Sequence, residues 1–357
     1  MMRKHNFNAG PAVLPADVVK QASEAAADFM GSGMSILEIS HRSPDFVPLL
    51  DEATALVKNL MGLSDEYEVL FLTGGASSQF FMTAMNFLPP NGKAAYIDTG
   101  SWSSKAIKEA KRFGEISVVA SSKEANYNYI PKDYTIPADS TYLHITTNNT
   151  IFGTQYKQLP DTSIPLIADM SSDIMSKPID YQKFTAIYAG AQKNLGPAGV
   201  SLVIVKKEAL GKTGRDLPSM LNYQTHIDNK SSFNTPPVFP IYVTLLTLRW
   251  IKAFGGLQKM QQHNSTKADL LYHALDANPL FVGTAAQEDR SDMNVTFLLQ
   301  DDSLQKEFLE VCQAADIEGI KGHRSVGGFR ASIYNALPTK SVQHLIEVMN
   351  DFANKKG

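Results

Sequence analysis

Cysteine is almost absent from this chain. With Cys312 alone among 357 residues, neither an intramolecular disulfide framework nor a cysteine-only zinc site can form. Cys312 lies in SLQKEFLEVCQAADI, where Leu304, Phe308, Leu309 and Cys312 share a helical face. The pattern therefore predicts a partly buried, small apolar residue rather than a nucleophile. An excess of positive charge is lacking too: 33 basic and 36 acidic residues give a formal charge of -3. That excludes the polycationic footprint that a nucleic-acid backbone requires and leaves small anions, met by a few local charges, as the expected ligands. No uninterrupted apolar run is long enough to cross a bilayer. The opening MMRKHNFNAGPAVLP turns polar and Gly/Pro-containing where a signal peptide needs an apolar core. The expectation is a soluble, cytoplasmic protein with no nucleic-acid or membrane partner.

What the chain does contain is alternation. Helical patterns over 16–30, ended by Gly31 and Gly33, and over 46–61 precede a strand at Val69–Leu72, a Gly74-Gly75 turn and a further helix. AAYIDTG, ISVVA, TYLHITTN, IPLIADMSS, FTAIYAG and GVSLVIVKK then read as short buried strands, with a helix over Ser103–Arg112. Such a series predicts an α/β domain with a mostly parallel mixed sheet and ligand chemistry at the carboxyl ends of the strands. After TPPVFPIY the texture changes. Residues 241–277 form two helical patterns split around Gly255-Gly256; MNVTFLLQ and FRASIYN read as strands, and 303–315 and 340–354 as helices. The predicted organisation is a large domain over 16–264 and a smaller α+β domain over 265–357, with the segment 1–15 joined to the smaller one.

Four features carry chemistry. In YAGAQKNLGPAG, Lys193 sits among glycines at a strand end, where a desolvated amine reaches the neutral form that attacks a carbonyl. Asp169 ends the apolar run in IPLIADMSS, placed to face a protonated ring nitrogen. The turn GGASSQ, residues 74–79, joins a strand to a helix, so its amides suit a phosphate, with Ser77 or Ser78 adding hydroxyls. It is neither a Walker motif nor a dinucleotide fingerprint. Trp102, in DTGSWS, is placed to stack on an aromatic ring. Read singly, Lys193 is equally a surface lysine, Asp169 a cap or Asx turn, the glycines a plain turn and Trp102 a packing residue.

Together with NFNAGPAVLP, ISHRS at 39–43, SSFNTPP at 231–237 and GHRSVGGFRASIYNA at 322–336, these blocks resemble the phosphoserine aminotransferase family. That family is a class V branch of fold-type I pyridoxal-phosphate enzymes, and the likeness spans nearly the whole chain. The resemblance implies pyridoxal 5'-phosphate as cofactor and a homodimer with shared active sites. It assigns the cofactor aldehyde to Lys193, the pyridine nitrogen to Asp169, ring stacking to Trp102 and the phenolic oxygen to Thr150. Ala76, Ser77 and Gln192 would hold the cofactor phosphate, with Asn234 and Thr235 of the other subunit. Arg330 would clamp the substrate α-carboxylate. His41, Arg42, and His323 with Arg324 from the neighbouring chain, would meet the substrate phosphate or the distal carboxylate of glutamate. Some members carry an arginine where this chain has Ser77, so those four residues are expected to bear more of the phosphate recognition. The implied reaction moves an amino group between L-glutamate and 3-phosphonooxypyruvate, with the homologous phosphorylated four-carbon substrate of pyridoxine synthesis as a second possibility. The rival is a class V transaminase acting on serine, alanine or glyoxylate, which has less use for two His-Arg pairs. A cysteine desulfurase is disfavoured by the helical setting of Cys312.

Overall fold

The computed structural model describes residues 3–356. Apolar runs that lack alternation become strands buried on both faces, apart from the half-exposed edge strand Glu115–Ser121. Seven of them build one sheet: β1 (Tyr67–Leu72), β2 (Lys93–Asp98), β3 (Glu115–Ser121), β4 (Ser140–Thr146), β5 (Leu166–Asp169), β6 (Phe184–Gly190) and β7 (Ser201–Lys206). Their order is β1, β7, β6, β5, β4, β2, β3. Only β7 runs against its neighbours, pairing antiparallel with both β1 and β6. The other six strands therefore point the same way, and the turns after Leu72, Asp98, Thr146, Asp169 and Gly190 gather along one edge.

Helices α1 (Ala16–Ala27) and α2 (Val47–Met61) cover one face together with α5 (Val238–Ala253). Leu50, Leu56 and Leu245 from these helices join Phe71, Ile97, Ile145 and Leu202 of the sheet in one apolar cluster. The opposite face is packed by α3 (Gly75–Phe87) and α4 (Ser101–Ala110), with Phe80, Ala84 and Ala106 against Leu70, Tyr96 and Val203. After α5 the chain turns by 86° at Gly255 and continues as α6 (Gly256–Ala277). Among the described residues, no single helix is long and apolar enough to cross a membrane.

A third apolar cluster belongs to the carboxyl-terminal part. There β8 (Phe281–Gly283), β9 (Asn294–Leu299) and β10 (Phe329–Ser332) form an antiparallel sheet, packed by α6, α7 (Gln305–Ala314) and α8 (Thr339–Lys356). Phe308 is its hub, with ring centroids 5.0–5.1 Å from those of Phe281, Phe329 and Phe352. Cys312 is fully buried in the same cluster. Phe7 and Val13 reach it as well, and His5–Asn6 pairs parallel with Ile317–Glu318.

The helix expected over 16–30 stops at Ala27. Asp28 is extended and its carboxylate accepts a hydrogen bond from the Gly33 amide, so the residues leading to the glycines form a turn instead of a last helical turn. Two-residue pairings such as Asn148–Asn149 with Thr154–Gln155 carry no periodicity for a sequence to display.

Candidate active site

The edge where the parallel strands end holds Lys193 and Asp169, the two residues that the sequence placed at the centre of the chemistry. Lys193 lies in the turn between β6 and β7, closed by Leu195 and Gly196 amides donating to the Ala191 carbonyl at 3.0 and 2.8 Å. The amino-terminal segment crosses over this turn: the Ala12 amide donates to the Gln192 carbonyl at 2.9 Å. Gly10, at φ +138°, brings its backbone so close that an added Cβ would touch Lys193 Cγ at 3.4 Å. A side chain here would be strained by φ, while its Cβ would make only ordinary contact with Lys193.

The Lys193 amine donates to Thr150 Oγ1 at 2.8 Å and lies 5.9 Å from the Trp102 ring centroid. Lys193 is only part-buried by exposed surface but is densely surrounded by protein atoms. That surrounding density sets the cost of its charge. Desolvation lowers the amine to about 8; Asp169 and Asp173 oppose the shift, and Arg330 adds to it. Asp169 shifts in the complementary direction. Burial raises its carboxyl, against hydrogen bonds from Ser171 and the charge of Lys193. Both partners thus move toward neutrality, because loss of water outweighs their mutual attraction.

Asp169 also makes the Asx turn. Its Oδ1 accepts from the Ser171 amide at 2.9 Å and from Ser171 Oγ at 2.6 Å. These bonds fix the carboxylate plane and engage one oxygen, leaving Oδ2 free of any described partner. The two readings of this aspartate are compatible.

At the phosphate turn, Gly74 takes φ 93° before α3, and an added Cβ would lie 2.1 Å from Ser78 Oγ. The Ser78 hydroxyl donates to the Gly74 carbonyl at 3.1 Å, so it is engaged in closing the turn. Ser77 is exposed and Ala76 part-buried, and the first amides of α3 have no helical acceptor. Gln192 folds back over Gly190. Asn234 lines a cavity of about 130 Å³ with Gly74 and Ser78 of its own chain, while Thr235 is exposed nearby in sequence.

Arg330 stands on β10 opposite Thr296. Its Nε is buried without an acceptor, as is Trp102 Nε1. Burial lowers Arg330, whose charge is felt by both Lys193 and His323. His323 is lowered by burial first, then by Arg330, Arg324 and Lys105. A single chain therefore already brings His323 and Arg324 toward Arg330. His41 and Arg42 stand apart: Arg42 is exposed, His41 Nε2 is buried without a partner, and among the described residues no hydrogen bond or ion pair joins either to the Lys193 group.

Some members of the network escaped the sequence reading. Tyr334 donates to the Ala9 carbonyl at 3.0 Å, accepts from Asn294 Nδ2 at 3.2 Å and lies in hydrogen-bond reach of Thr150. Asp173, fully buried, accepts from Thr147 Oγ1 and Gln155 Nε2. Lys105 places its amine 4.2 Å from the Trp102 centroid. Only Lys105 had a visible signal, its i+3 spacing from Trp102 on one helix.

An enclosed amine of lowered basicity, a buried carboxylate with one oxygen engaged, an indole, a helix amino terminus and an unpartnered guanidinium together suit a phosphorylated aromatic aldehyde and an anionic substrate. The orphaned Trp102 and Arg330 donors are consistent with such occupants. The family model described as aminotransferase class-V matches residues 4–345, which sets the class. Phosphoserine aminotransferase of Flavobacterium psychrophilum is 58% identical over 355 residues, 99% of this chain and 100% of that one. The solved phosphoserine aminotransferase from Bacillus circulans subsp. alkalophilus is 47% identical, with TM-score 0.97 and 99% of each chain covered. The PLP-bound phosphoserine aminotransferase of Trichomonas vaginalis is 36% identical, with TM-score 0.93, covering 98% of this chain and 100% of that one. The chain belongs to the phosphoserine aminotransferase family.

Proposed function

We propose that this chain transfers an amino group between L-glutamate and 3-phosphonooxypyruvate, giving 3-phospho-L-serine and 2-oxoglutarate, with pyridoxal 5'-phosphate as cofactor. The observation that carries the reading is the Lys193 amine, bonded to Thr150 at 2.8 Å and lowered to about 8 by burial, with Asp169 opposing and Arg330 aiding the shift. When bound, the cofactor supplies an electron-accepting ring that stabilises negative charge at the substrate α-carbon. Lys193 would carry its aldehyde, Asp169 the ring nitrogen, Trp102 a ring face and Thr150 the phenolic oxygen. Ala76, Ser77 and Gln192 would hold its phosphate, with Asn234 and Thr235 entering from a second copy.

The chain's own residues do the rest. Lys193 Nζ would take the α-proton of the bound amino acid and return it to the cofactor's aldehyde carbon, a task for an amine whose neutral fraction at neutral pH is raised by its lowered basicity. Arg330 clamps the α-carboxylate, and its lack of an internal acceptor leaves its fork free for that ligand. His323 and Arg324, which the resemblance assigned to the neighbouring chain but whose charges act alongside Arg330 within one chain, and His41 and Arg42, taken instead from a second copy, meet the substrate phosphate or the distal carboxylate of glutamate. The homodimer is supported by exposed apolar Met30, Met34 and Leu37, which lie in the segment leading into His41 and Arg42. A cytoplasmic location accompanies this reading.

The test is a pair of half-reactions on the purified yellow protein. Glutamate alone should change the cofactor absorbance, and 3-phosphonooxypyruvate should restore it where pyruvate and glyoxylate do not. Restoration by pyruvate or glyoxylate instead moves the chain to the transaminases of serine, alanine or glyoxylate.

A further inference from the structure

Helix α4 carries two residues toward the cleft, Trp102 and Lys105, one turn apart. Both the Lys105 and Lys193 amines lie over the Trp102 ring, 4.2 and 5.9 Å from its centroid, so they are no more than about 10 Å apart. Lys105 is exposed and, among the described residues, makes no ion pair, although Glu109 lies four positions on in the same helix and pairs with Arg112. Its charge also reaches His323, which in turn feels Arg330 and Arg324. The glycine-rich turn offers only the neutral Ser77. A cation left without a carboxylate, seated on the indole that flanks the reactive amine, has the position of an anion contact and not of a surface pair.

We propose that Lys105 is a specificity-determining residue that contacts the phosphate of the phosphorylated substrate, leaving the Trp102 face when that anion arrives. The inference rests on the functional reading above. A doubly charged phosphate gains more from an added ammonium than the single distal carboxylate of glutamate does. Lys105 therefore biases the site toward the phosphorylated partner. A lysine ammonium is a compact charge on a flexible stem, suited to exchanging a ring face for an oxygen.

The experiment compares Lys105→Gln and Lys105→Arg with the unchanged holoenzyme in the two separate half-reactions. It also measures inhibition of the acceptor half-reaction by inorganic phosphate and the rise in Tm that inorganic phosphate gives the holoenzyme. Lys105→Gln should lower the second-order rate constant for 3-phosphonooxypyruvate about tenfold, the scale of one charged hydrogen bond, with a smaller loss for glutamate. It should weaken inorganic phosphate by a similar factor, and Lys105→Arg should recover most of both. Equal losses for the two substrates would show that Lys105 acts only through Trp102 and the cofactor, which overturns the proposal. An unchanged ratio with unchanged phosphate inhibition overturns it too. The rise in Tm that inorganic phosphate gives the holoenzyme does not depend on which amino acceptor is used, so failure of this inference is separable from failure of the assigned reaction.

Discussion

The lowered basicity of Lys193 has a measurable consequence in the cofactor-free protein. An amine titrating at about 8 is about 9% neutral at pH 7, whereas one at the ordinary 10.5 is about 0.03% neutral, a roughly 300-fold difference in the reactive form. Acylation of the folded, cofactor-free chain across pH 6 to 11, with Lys193 read by quantitative mass spectrometry, should give a midpoint near 8. Substitutions should move that midpoint in opposite directions. Asp169→Asn removes a charge that holds the proton on, so the midpoint falls and labelling at pH 7 rises even as transamination is lost. Arg330→Gln removes a charge that expels the proton, so the midpoint rises. The same shift enters stability: between about 8 and 10.5 the unfolded chain holds the proton that the folded one has released. Stability gains as pH rises through that window, and the penalty is fully present below it. A midpoint above 10, or shifts of the same sign in the two variants, would refute the account of burial opposed by Asp169 and aided by Arg330.

His144 is buried, in hydrogen-bond contact with Tyr188 through Nε2 at 2.9 Å, and desolvation lowers it from 6.5 to about 3. The unfolded chain takes the proton first, so stability present above about 6.5 should fall by up to roughly 4 kcal/mol as pH drops toward 3. Chemical denaturation at stepped pH should show that slope flattened in His144→Gln. Cys312 is fully buried, and burial pushes its thiol up to about 12. It should resist a thiol reagent in the native protein and react stoichiometrically in denaturant; rapid native labelling would contradict its place in the core.

The extent to which the sequence disclosed this arrangement follows from how each feature is encoded. Strands such as Leu166–Asp169 and Phe184–Gly190 are apolar on both faces and bounded by turn residues, so they stand out locally. The helix break at Gly255-Gly256 is similarly local, since Gly255 takes φ 107°. Asp169 and Lys193 were visible because the first ends such a strand and the second sits in the turn just past another. Contacts between distant residues had no local sign: Thr150 meets Lys193 across 43 positions, and Tyr334 meets Ala9 across 325. The over-long first helix arose from the same limit. Its apolar pattern continues through Phe29 and Met30, but the Asp28 carboxylate binds the following turn.

The reactive amine and the carboxylate clamp belong to parts of the chain with separate apolar cores, so their relative placement depends on the seam between them. That seam is polar. Asn335 donates through its backbone amide to Asn194 Oδ1 at 3.1 Å, next to Lys193. Asn294 Oδ1 accepts from Asn148 Nδ2 at 2.8 Å, and its Nδ2 donates to Ser332 Oγ at 3.1 Å and to Tyr334 at 3.2 Å. Apolar contact alone would allow the two parts to slide, whereas directional bonds in a dry seam select one register. Asn294→Ala tests this directly, since it removes the described partner of buried Ser332 Oγ and one bond each of Asn148 and Tyr334. The expected cost is ~2–4 kcal/mol of stability, read by denaturation. Because Tyr334 and Thr150 share the network, the Lys193 titration midpoint should shift as well. A loss below about 0.5 kcal/mol with an unmoved midpoint would mean that packing, and not these bonds, sets Arg330 against Lys193.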